Sequence, residues 1–427
     1  MVVSFIPSCF NLSQPPCHSK HISRHIASNI RRPCIRRPQI LSSAHEDAVG
    51  LRVFVLSDLH TDYAENMKWV KSLSADRYKN DVLLVAGDVA ETYNNFLLTM
   101  SLLKDRFEHV FYVPGNHDLW YRRDGEDNPD SLQKLNCLLD ACRTLGVVSN
   151  PMIIDDLGII PLLSWYHESF DREMDIPNIR IPSLEMACKD FNACKWPGEL
   201  SNADDSLALY FDSLNDMHSD VIKQIKKVCS QIITFSHFVP RQELCPEKRM
   251  LFYPKLPKII GSESLEFRIR SIHGVDGSGS ACHVFGHTHF CWDAVIDGVS
   301  FTTEPLERLL LHVFSCTSGS NTKQFLKSSG NPVLFNYIGH DHVYRLLSVL
   351  SGLDVQCRYV QAPLAYPRER KRMMNGGEDW LPFCIYSGGK LSDRISPCYW
   401  SDYYSFNPRT PRNTQLAPWV ARFYNRT

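Results

Sequence analysis

The sequence RVFVLSDLH, residues 52–60, runs from an apolar stretch directly into Asp58 and His60. Its Val and Leu side chains are typical of a short buried strand, so both polar residues should follow the carboxyl end of that strand. The segment DVLLVAGD, residues 81–88, repeats this arrangement with Asp88, and HVFYVPGNHD, residues 109–118, repeats it with Asn116 and His117. Three apolar runs that end in polar side chains indicate one functional edge of a sheet.

Segments whose apolar residues have helical spacing lie between these runs, and this alternation predicts an α/β fold. Apolar residues recur with helical spacing in residues 64–73, 95–107, 131–145 and 206–227, and further strands are predicted at 158–164, 231–236 and 281–285. Strands that alternate with helices form largely parallel sheets, whose functional residues lie in the loops after the strands. The last two predicted strands end at His237 and at the block Gly286-His287-Thr288-His289.

These polar blocks together carry enough ligands for two metal ions side by side. Carboxylate, amide and imidazole donors without cysteine suit a divalent transition metal that assists hydrolysis. Two neighbouring cations need an anionic bridge, and Asp88 is a natural candidate because a carboxylate has two oxygens.

The order and spacing of the five blocks resemble the calcineurin-like metallophosphoesterase family, and plant members of it most of all. The resemblance covers about residues 50–300 and resumes near residue 358. It implies a β-sandwich of two mixed sheets flanked by helices, with a dinuclear metal site at the strand ends. It also implies a ligand set in which Asp88 bridges the ions, with Asp58, His60 and His289 on the first ion and Asn116, His237 and His287 on the second. In the family pattern His117 acts on the phosphoryl or leaving-group oxygen, and Asp118 would orient its imidazole.

The resemblance therefore implies a metal-dependent hydrolase of phosphate esters with a metal-bridging hydroxide as nucleophile. The block Gly87-Asp88-Val89-Ala90-Glu91 lacks the arginine found in protein phosphatases of the family, which favours a small-molecule phosphomonoester, phosphodiester or pyrophosphate. The ligands accept manganese, iron, zinc or cobalt. The alternative is a catalytically inactive isoform or a protein-interaction module on the same fold, although such members typically lose metal-binding histidines and none is lost here.

Composition excludes several classes of partner. The formal net charge of −1 gives no basic field for nucleic acid, and no run of 18 apolar residues predicts a membrane span. Fifteen cysteines without a CxxC pair fit reduced intracellular thiols better than a disulfide framework. The oligomeric state stays open.

The N-terminal residues 1–45 contain basic residues but neither Asp nor Glu, as organellar transit peptides do. Chloroplast targeting is expected because of the plant resemblance. Mitochondrial import, or an untargeted tail on a cytoplasmic protein, is the alternative. The phosphoesterase domain is expected to begin at residue 50 and to run to residue 299.

An interrupted hairpin follows the last block. Residues 294–299 (AVIDGV) read as a strand with an Asp-Gly turn, but the matching return strand begins only at residue 358 (RYVQAP). We interpret residues 300–357 as an atypical insertion, of the kind a retained intron would encode, and residues 358–427 as the return strand and a C-terminal extension. An insertion that disrupted the sheet would misplace His287 and His289 and would favour the inactive isoform.

Three further segments have two interpretations each. Trp165, Tyr166 and His167 could line the substrate cleft or simply cap a strand. Residues 170–203 lack a clear period and resemble a lid or binding loop. The basic run Arg368, Arg370, Lys371 and Arg372 could meet a phosphate or form a solvated face.

Overall fold

Two mixed β-sheets form the centre of the computed structural model, which describes residues 50–121, 130–273, 281–296, 357–372 and 376–425. The strands are β1 Val53–Leu56, β2 Val82–Ala86, β3 His109–Val113, β4 Met152–Ile154, β5 Leu157–Pro161, β6 Gln231–Phe235, β7 Ala281–Phe285, β8 Trp292–Ile296, β9 Cys357–Gln361, β10 Phe383–Ser387 and β11 Lys390–Leu391. One sheet has the strand order β11-β10-β1-β2-β3 and the other has the order β4-β5-β6-β7-β9-β8.

Helices flank both sheets. They are Ala64–Ser72, Tyr93–Lys104, Ser131–Leu145, Leu184–Ala187, Asp190–Ala193, Ser206–Leu214, Ser219–Val228, Glu263–His273, Pro367–Lys371, Tyr399–Phe406 and Pro418–Tyr424. Short 3-10 turns lie at His117–Leu119, Glu168–Phe170, Asn215–His218, Gln242–Leu244, Lys248–Met250 and Leu256–Ile259. Within the described ranges, no helix combines the length and the apolar character needed to cross a bilayer.

Parallel pairing brings the functional loops to one edge. Strands β1, β2 and β3 pair in parallel, as do β5, β6, β7 and β9. Every residue of β1 and β2 is buried, which explains their continuous apolar sequence. The predicted fold class, two mixed sheets flanked by helices, is confirmed.

The carboxyl ends of β1 and β9 connect the two sheets. The Ser57 N–H donates to the Ala362 carbonyl at 3.0 Å, and the Leu364 N–H donates to the Ser57 carbonyl at 2.9 Å. The Ala365 N–H donates to the carbonyl of Asp58 at 3.0 Å. The loop that carries Asp58 is therefore held between the two sheets.

One predicted helix is interrupted. Residues 206–227 form two helices, Ser206–Leu214 and Ser219–Val228, joined by the 3-10 turn Asn215–His218. The Asn215 side chain accepts from the Leu163 N–H at 2.9 Å and donates to the Leu163 carbonyl at 2.8 Å. The helix is therefore interrupted where this buried amide binds the backbone just after β5.

The interrupted hairpin is present as a pair of adjacent strands. Strands β8 and β9 pair antiparallel, with Ile296 opposite Cys357 and Trp292 opposite Gln361. Most of the proposed insertion, with the predicted Asp-Gly turn, lies outside the described residues, and so does the proposed transit peptide; both stay predictions. Strand β9 pairs in parallel with β7 along its whole length, from Ala281 opposite Cys357 to Phe285 opposite Gln361. The strand that leads into the Gly286–His289 loop therefore has its neighbour in place.

The C-terminal segment contributes a strand that the sequence pattern did not indicate. Strand β10 pairs antiparallel with β1, and its Ile385 is fully buried. The segment therefore contributes to the first sheet and also carries the helices Pro367–Lys371, Tyr399–Phe406 and Pro418–Tyr424.

Replacing Ile385 with alanine should lower the free energy of unfolding by about 2–4 kcal/mol, because it leaves a cavity beside β1. The matched control is Ile395→Ala, since that side chain is 67% exposed and its loss should cost less than about 0.5 kcal/mol. Urea titration of both variants measures the difference. Equal stability of the two would show that β10 is not part of the core.

Candidate metal centre

The seven predicted ligands converge at the shared edge of the two sheets. They come from the loops after β1, β2, β3, β6 and β7, and they are Asp58, His60, Asp88, Asn116, His237, His287 and His289. Five of them, Asp58, His60, Asp88, Asn116 and His237, are buried. The structure thus brings together residues spread over 232 positions of sequence into one cluster.

The first group contains Asp58, His60, Asp88 and His289, each of which offers one ligand atom within 4.8 Å of the others. The Nε2 atoms of His60 and His289 are 2.9 Å apart. Oδ1 of Asp58 lies 3.4 Å from Nε2 of His289, and Oδ2 of Asp88 lies 3.8 Å from Nε2 of His60. Four donor atoms thus surround one point.

The second group contains Asn116, His237 and His287. Oδ1 of Asn116 lies 3.1 Å from Nε2 of His237 and 3.0 Å from Nδ1 of His287. Oδ1 of Asp88 lies 3.5 Å from Nε2 of His237. Asp88 therefore presents a different carboxylate oxygen to each group.

Hydrogen bonds outside the cluster select which atom faces it. Nδ1 of His237 lies 2.9 Å from the Ala86 carbonyl, and Nε2 of His287 lies 3.0 Å from the Ile259 carbonyl. Each of these nitrogens must carry a proton to bond a carbonyl, so the other nitrogen presents a lone pair to the cluster. The Asn116 amide donates to Oδ1 of Asp190 at 2.9 Å, which turns its own oxygen inward.

Glu369 performs the same task for His289. Nδ1 of His289 lies 2.8 Å from Oε2 of Glu369, which sits in the helix Pro367–Lys371. Glu369 lies inside the predicted basic run, where nothing in the sequence pattern distinguishes it. The run itself is mixed, because Arg370 is buried against Oδ1 of Asn66 at 2.7 Å whereas Lys371 is exposed and pairs with Glu65.

The backbone of the ligand loops adopts an uncommon conformation. Asp58, His60, Asp88, His287 and His289 have φ angles of 53°, 42°, 55°, 78° and 57°. Residues other than glycine rarely occupy this left-handed region, and they do so at sites where the surroundings hold them. Gly115 allows the closest approach, because a Cβ there would lie 2.1 Å from Oδ1 of Asp88.

Electrostatics of the cluster favour cations. Burial, with the nearby carboxylates of Asp118 and Asp58, raises the pKa of Asp88 well above its usual range. Burial lowers the pKa of His237 to about 3 and that of His287 to about 4, so both remain neutral donors. Burial opposes the charge on His289, yet the carboxylates of Glu369 and Asp58 raise its pKa to about 10.

Several buried carboxylates with neutral imidazole and amide donors are the chemistry that divalent transition metals require. A bound cation would offset the mutual repulsion of these carboxylates. The residues present therefore fit a divalent metal.

His117 lies beside the cluster, but Asp118 does not orient it. Nε2 of His117 lies 3.9 Å from Oδ2 of Asp88, while its Nδ1 lies 3.3 Å from Oε1 of Glu91. Its ring stacks on Trp120 with centroids 3.6 Å apart. Glu91 thus binds the His117 imidazole, which is the role predicted for Asp118.

Asp118 binds backbone instead, because the turn His117–Leu119 directs its side chain inward. Oδ1 accepts from the N–H groups of Val89 and Ala90, and Oδ2 accepts from those of Asp88 and Gly115. The Tyr112 hydroxyl donates to Oδ2 at 2.9 Å. The prediction that Asp118 holds the His117 imidazole is corrected by these contacts.

A cleft of about 640 Å³, a volume that includes open solvent, lies over the cluster. It is lined by Asp88, Asn116, His117, Trp120, Cys188, Lys189, Asp190, Leu256, Ile259, His287, Thr288, His289, Tyr366 and Glu369. The irregular segment 170–203 contributes to one wall through Cys188, Lys189 and Asp190.

The aromatic block that was a candidate for lining the cleft lies elsewhere. Trp165 and Tyr166 are buried against the Phe238 ring at 5.2 and 5.6 Å between centroids. His167 instead bonds the Ser169 hydroxyl. These residues therefore support the core rather than the cleft.

Comparisons with known proteins point to one family. Residues 51–191 match the family described as calcineurin-like phosphoesterase. The acyl-carrier-protein phosphodiesterase PptH of Mycobacterium tuberculosis is 34% identical over 139 residues, which are 29% of this chain and 41% of that protein. The chain thus matches less than half the length of this curated relative. The crystal structure of phosphopantetheinyl hydrolase (PptH) from Mycobacterium tuberculosis is similar in fold, with a TM-score of 0.52 and 18% identity over 81% of this chain and 98% of that one.

Replacing Asp118 with asparagine should lower the free energy of unfolding by about 2–5 kcal/mol, because the amide nitrogen would face buried N–H donors that lose their acceptor. The control is Asp140→Asn, since that carboxylate is exposed and pairs only with Arg143. Chemical denaturation measures both variants. Unchanged stability of Asp118→Asn would contradict the anchoring role.

Proposed function

We propose that this chain, whose residues 51–191 match the calcineurin-like phosphoesterase family, hydrolyses phosphate esters with two divalent metal ions. The observation that carries the proposal is the position of Asp88, which presents Oδ2 to one donor group and Oδ1 to the other. A carboxylate shared in this way would bridge two ions.

Asp58, His60 and His289 would hold the first ion, and Asn116, His237 and His287 would hold the second. Such a pair of ions lowers the pKa of a water between them and neutralises the phosphoryl oxygens. Manganese, iron, zinc and cobalt all suit this donor set.

His117 would interact with the leaving-group oxygen of the substrate. Glu91 at Nδ1 keeps a proton on that nitrogen and turns Nε2 toward the cluster and the cleft. As a cation, with a second proton on Nε2, His117 would stabilise or protonate the leaving oxygen, which is worth about 10²–10⁴-fold in rate. The stacked Trp120 ring restricts the imidazole to this orientation.

Tyr366 would be a second hydrogen-bond donor to the substrate. Its ring stacks on His60 with centroids 4.5 Å apart, and its hydroxyl lies 3.4 Å from Nε2 of His117. Burial raises the pKa of this phenol well above its usual value, so it stays an O–H donor. A phosphoryl oxygen bound at the cluster would fall within reach of both donors.

The walls of the cleft favour a phosphodiester with an organic arm. Leu256 and Ile259 make one wall apolar, and the Lys189 ammonium lies 5.2 Å from the centre of the Trp120 ring. An apolar wall beside a charged centre accommodates an ester group larger than free phosphate. The phosphodiesterase activity of PptH, the relative from Mycobacterium tuberculosis, supports the phosphopantetheinyl diester of an acyl carrier protein as the first substrate to test.

Replacing Asp88 with asparagine should reduce kcat/KM for a generic phosphodiester such as bis-p-nitrophenyl phosphate by at least about 10²-fold, with loss of bound metal. The test compares full-length protein loaded with Mn²⁺, and metal analysis accompanies the kinetics. The control is Asp140→Asn, which changes an exposed carboxylate that pairs with Arg143 and does not line the cleft, and it should match the parent protein. Full activity of Asp88→Asn would overturn the proposal.

Replacing Tyr366 with phenylalanine should lower kcat by about 10²-fold while metal content stays unchanged, because one preorganised donor to the phosphoryl oxygen is lost. The control is Tyr63→Phe, since Tyr63 is 46% exposed and touches the Tyr366 ring only by its edge at 5.3 Å. An unchanged kcat for Tyr366→Phe would show that the Tyr366 hydroxyl does not act on the substrate. The proposed metal ligands would not be affected by that result.

A further inference from the structure

Two cysteines face each other just outside the metal centre. Sγ of Cys291 and Sγ of Cys398 are 2.7 Å apart, although 107 residues separate them in sequence. Non-bonded heavy atoms usually pack at about 3.5–4.0 Å, and a disulfide bond measures about 2.05 Å. The two thiols are therefore already within the distance at which only a small movement joins them.

The contacts around the pair hold both segments in this arrangement. The Ser396 N–H donates to Oδ2 of Asp293 at 2.9 Å, and the guanidinium of Arg358 bonds both Asp293 and the Arg394 carbonyl. The Cys398 thiol also contacts the Ser396 hydroxyl. Both cysteines are buried, so neither meets an outside partner while the segment is closed.

The two cysteines sit on segments with different roles. Cys291 lies two residues after His289, at the entrance to β8. Cys398 directly precedes the helix Tyr399–Phe406, at the end of residues 392–398, which form neither helix nor strand. Within that stretch Asp393, Arg394 and Ile395 are exposed, so it is a segment that can open without breaking a sheet.

We propose that Cys291 and Cys398 form a reversible disulfide that ties the metal-ligand loop to the C-terminal segment. Both thiols are free in the structure, as the sequence predicted, and the proposal does not depend on the proposed hydrolase activity.

The oxidant is a low-molecular-weight or protein disulfide. One cysteine attacks that disulfide and forms a mixed disulfide with release of one thiol. The second cysteine then displaces the other half. Two cysteine S–H bonds are lost and one S–S bond forms, while the external disulfide is reduced to two thiols.

The bond would close a loop of more than one hundred residues. Such a link restricts the unfolded chain more than the folded one, so the oxidised protein should resist thermal unfolding better than the reduced protein. It would also fix the chain immediately after His289.

The test treats the full-length protein with oxidised glutathione, then alkylates it under denaturing, non-reducing conditions before peptide mapping. The expected result is a peptide pair linked through Cys291 and Cys398. A rise in Tm on the order of 5 °C over the reduced sample should accompany it. Cys398→Ser should abolish both, whereas Cys229→Ser, a half-buried thiol on another helix end, should retain both.

Alkylation of both Cys291 and Cys398 after oxidation would overturn the proposal. So would separate glutathione adducts on the two residues, or their linkage to other cysteines. The peptide map of the parent protein decides among these results even if Cys398→Ser fails to fold.

Discussion

The buried carboxylate of Asp118 holds the loops of the first sheet in their working positions. It accepts four backbone N–H groups and the Tyr112 hydroxyl, so its charge is compensated only when the loops after β2 and β3 are both in place. The same loops carry Asp88, Asn116 and His117. An uncompensated carboxylate in the interior would cost several kcal/mol, which makes any other arrangement of these loops unfavourable.

The second sheet also contacts this framework at the backbone carbonyl that ends β2. Nδ1 of His237 reaches the Ala86 carbonyl at the end of β2, and a Cβ on Gly286 would lie 2.7 Å from that same oxygen. The two sheets therefore approach each other closely at the candidate metal centre. Ligands with left-handed backbone angles are the result, since each loop must turn sharply where the two sheets approach.

Much of this arrangement could be predicted from sequence, because its signals are local. Buried apolar runs that end in Asp, Asn or His reveal both the strand and the ligand that follows it, and all seven predicted ligands lie in the cluster. Glu369 and Tyr366 could not be found in this way. Glu369 meets His289 across 80 residues of sequence, and Tyr366 meets His117 across 249. The role of Asp118 was predicted wrongly for a different reason, since the direction of its side chain depends on a single turn after Gly115.

Strand β9 and Glu369 are synthesised after every ligand. The last of the seven ligands, His289, precedes Glu369 by 80 residues, which a ribosome adds in about 4–16 s. During that interval the growing chain contains the complete donor set but lacks the strand between β7 and β8 and the carboxylate that orients His289. The topology thus delays completion of the candidate metal centre until Glu369 has been synthesised, so that chain elongation and metal capture compete in time.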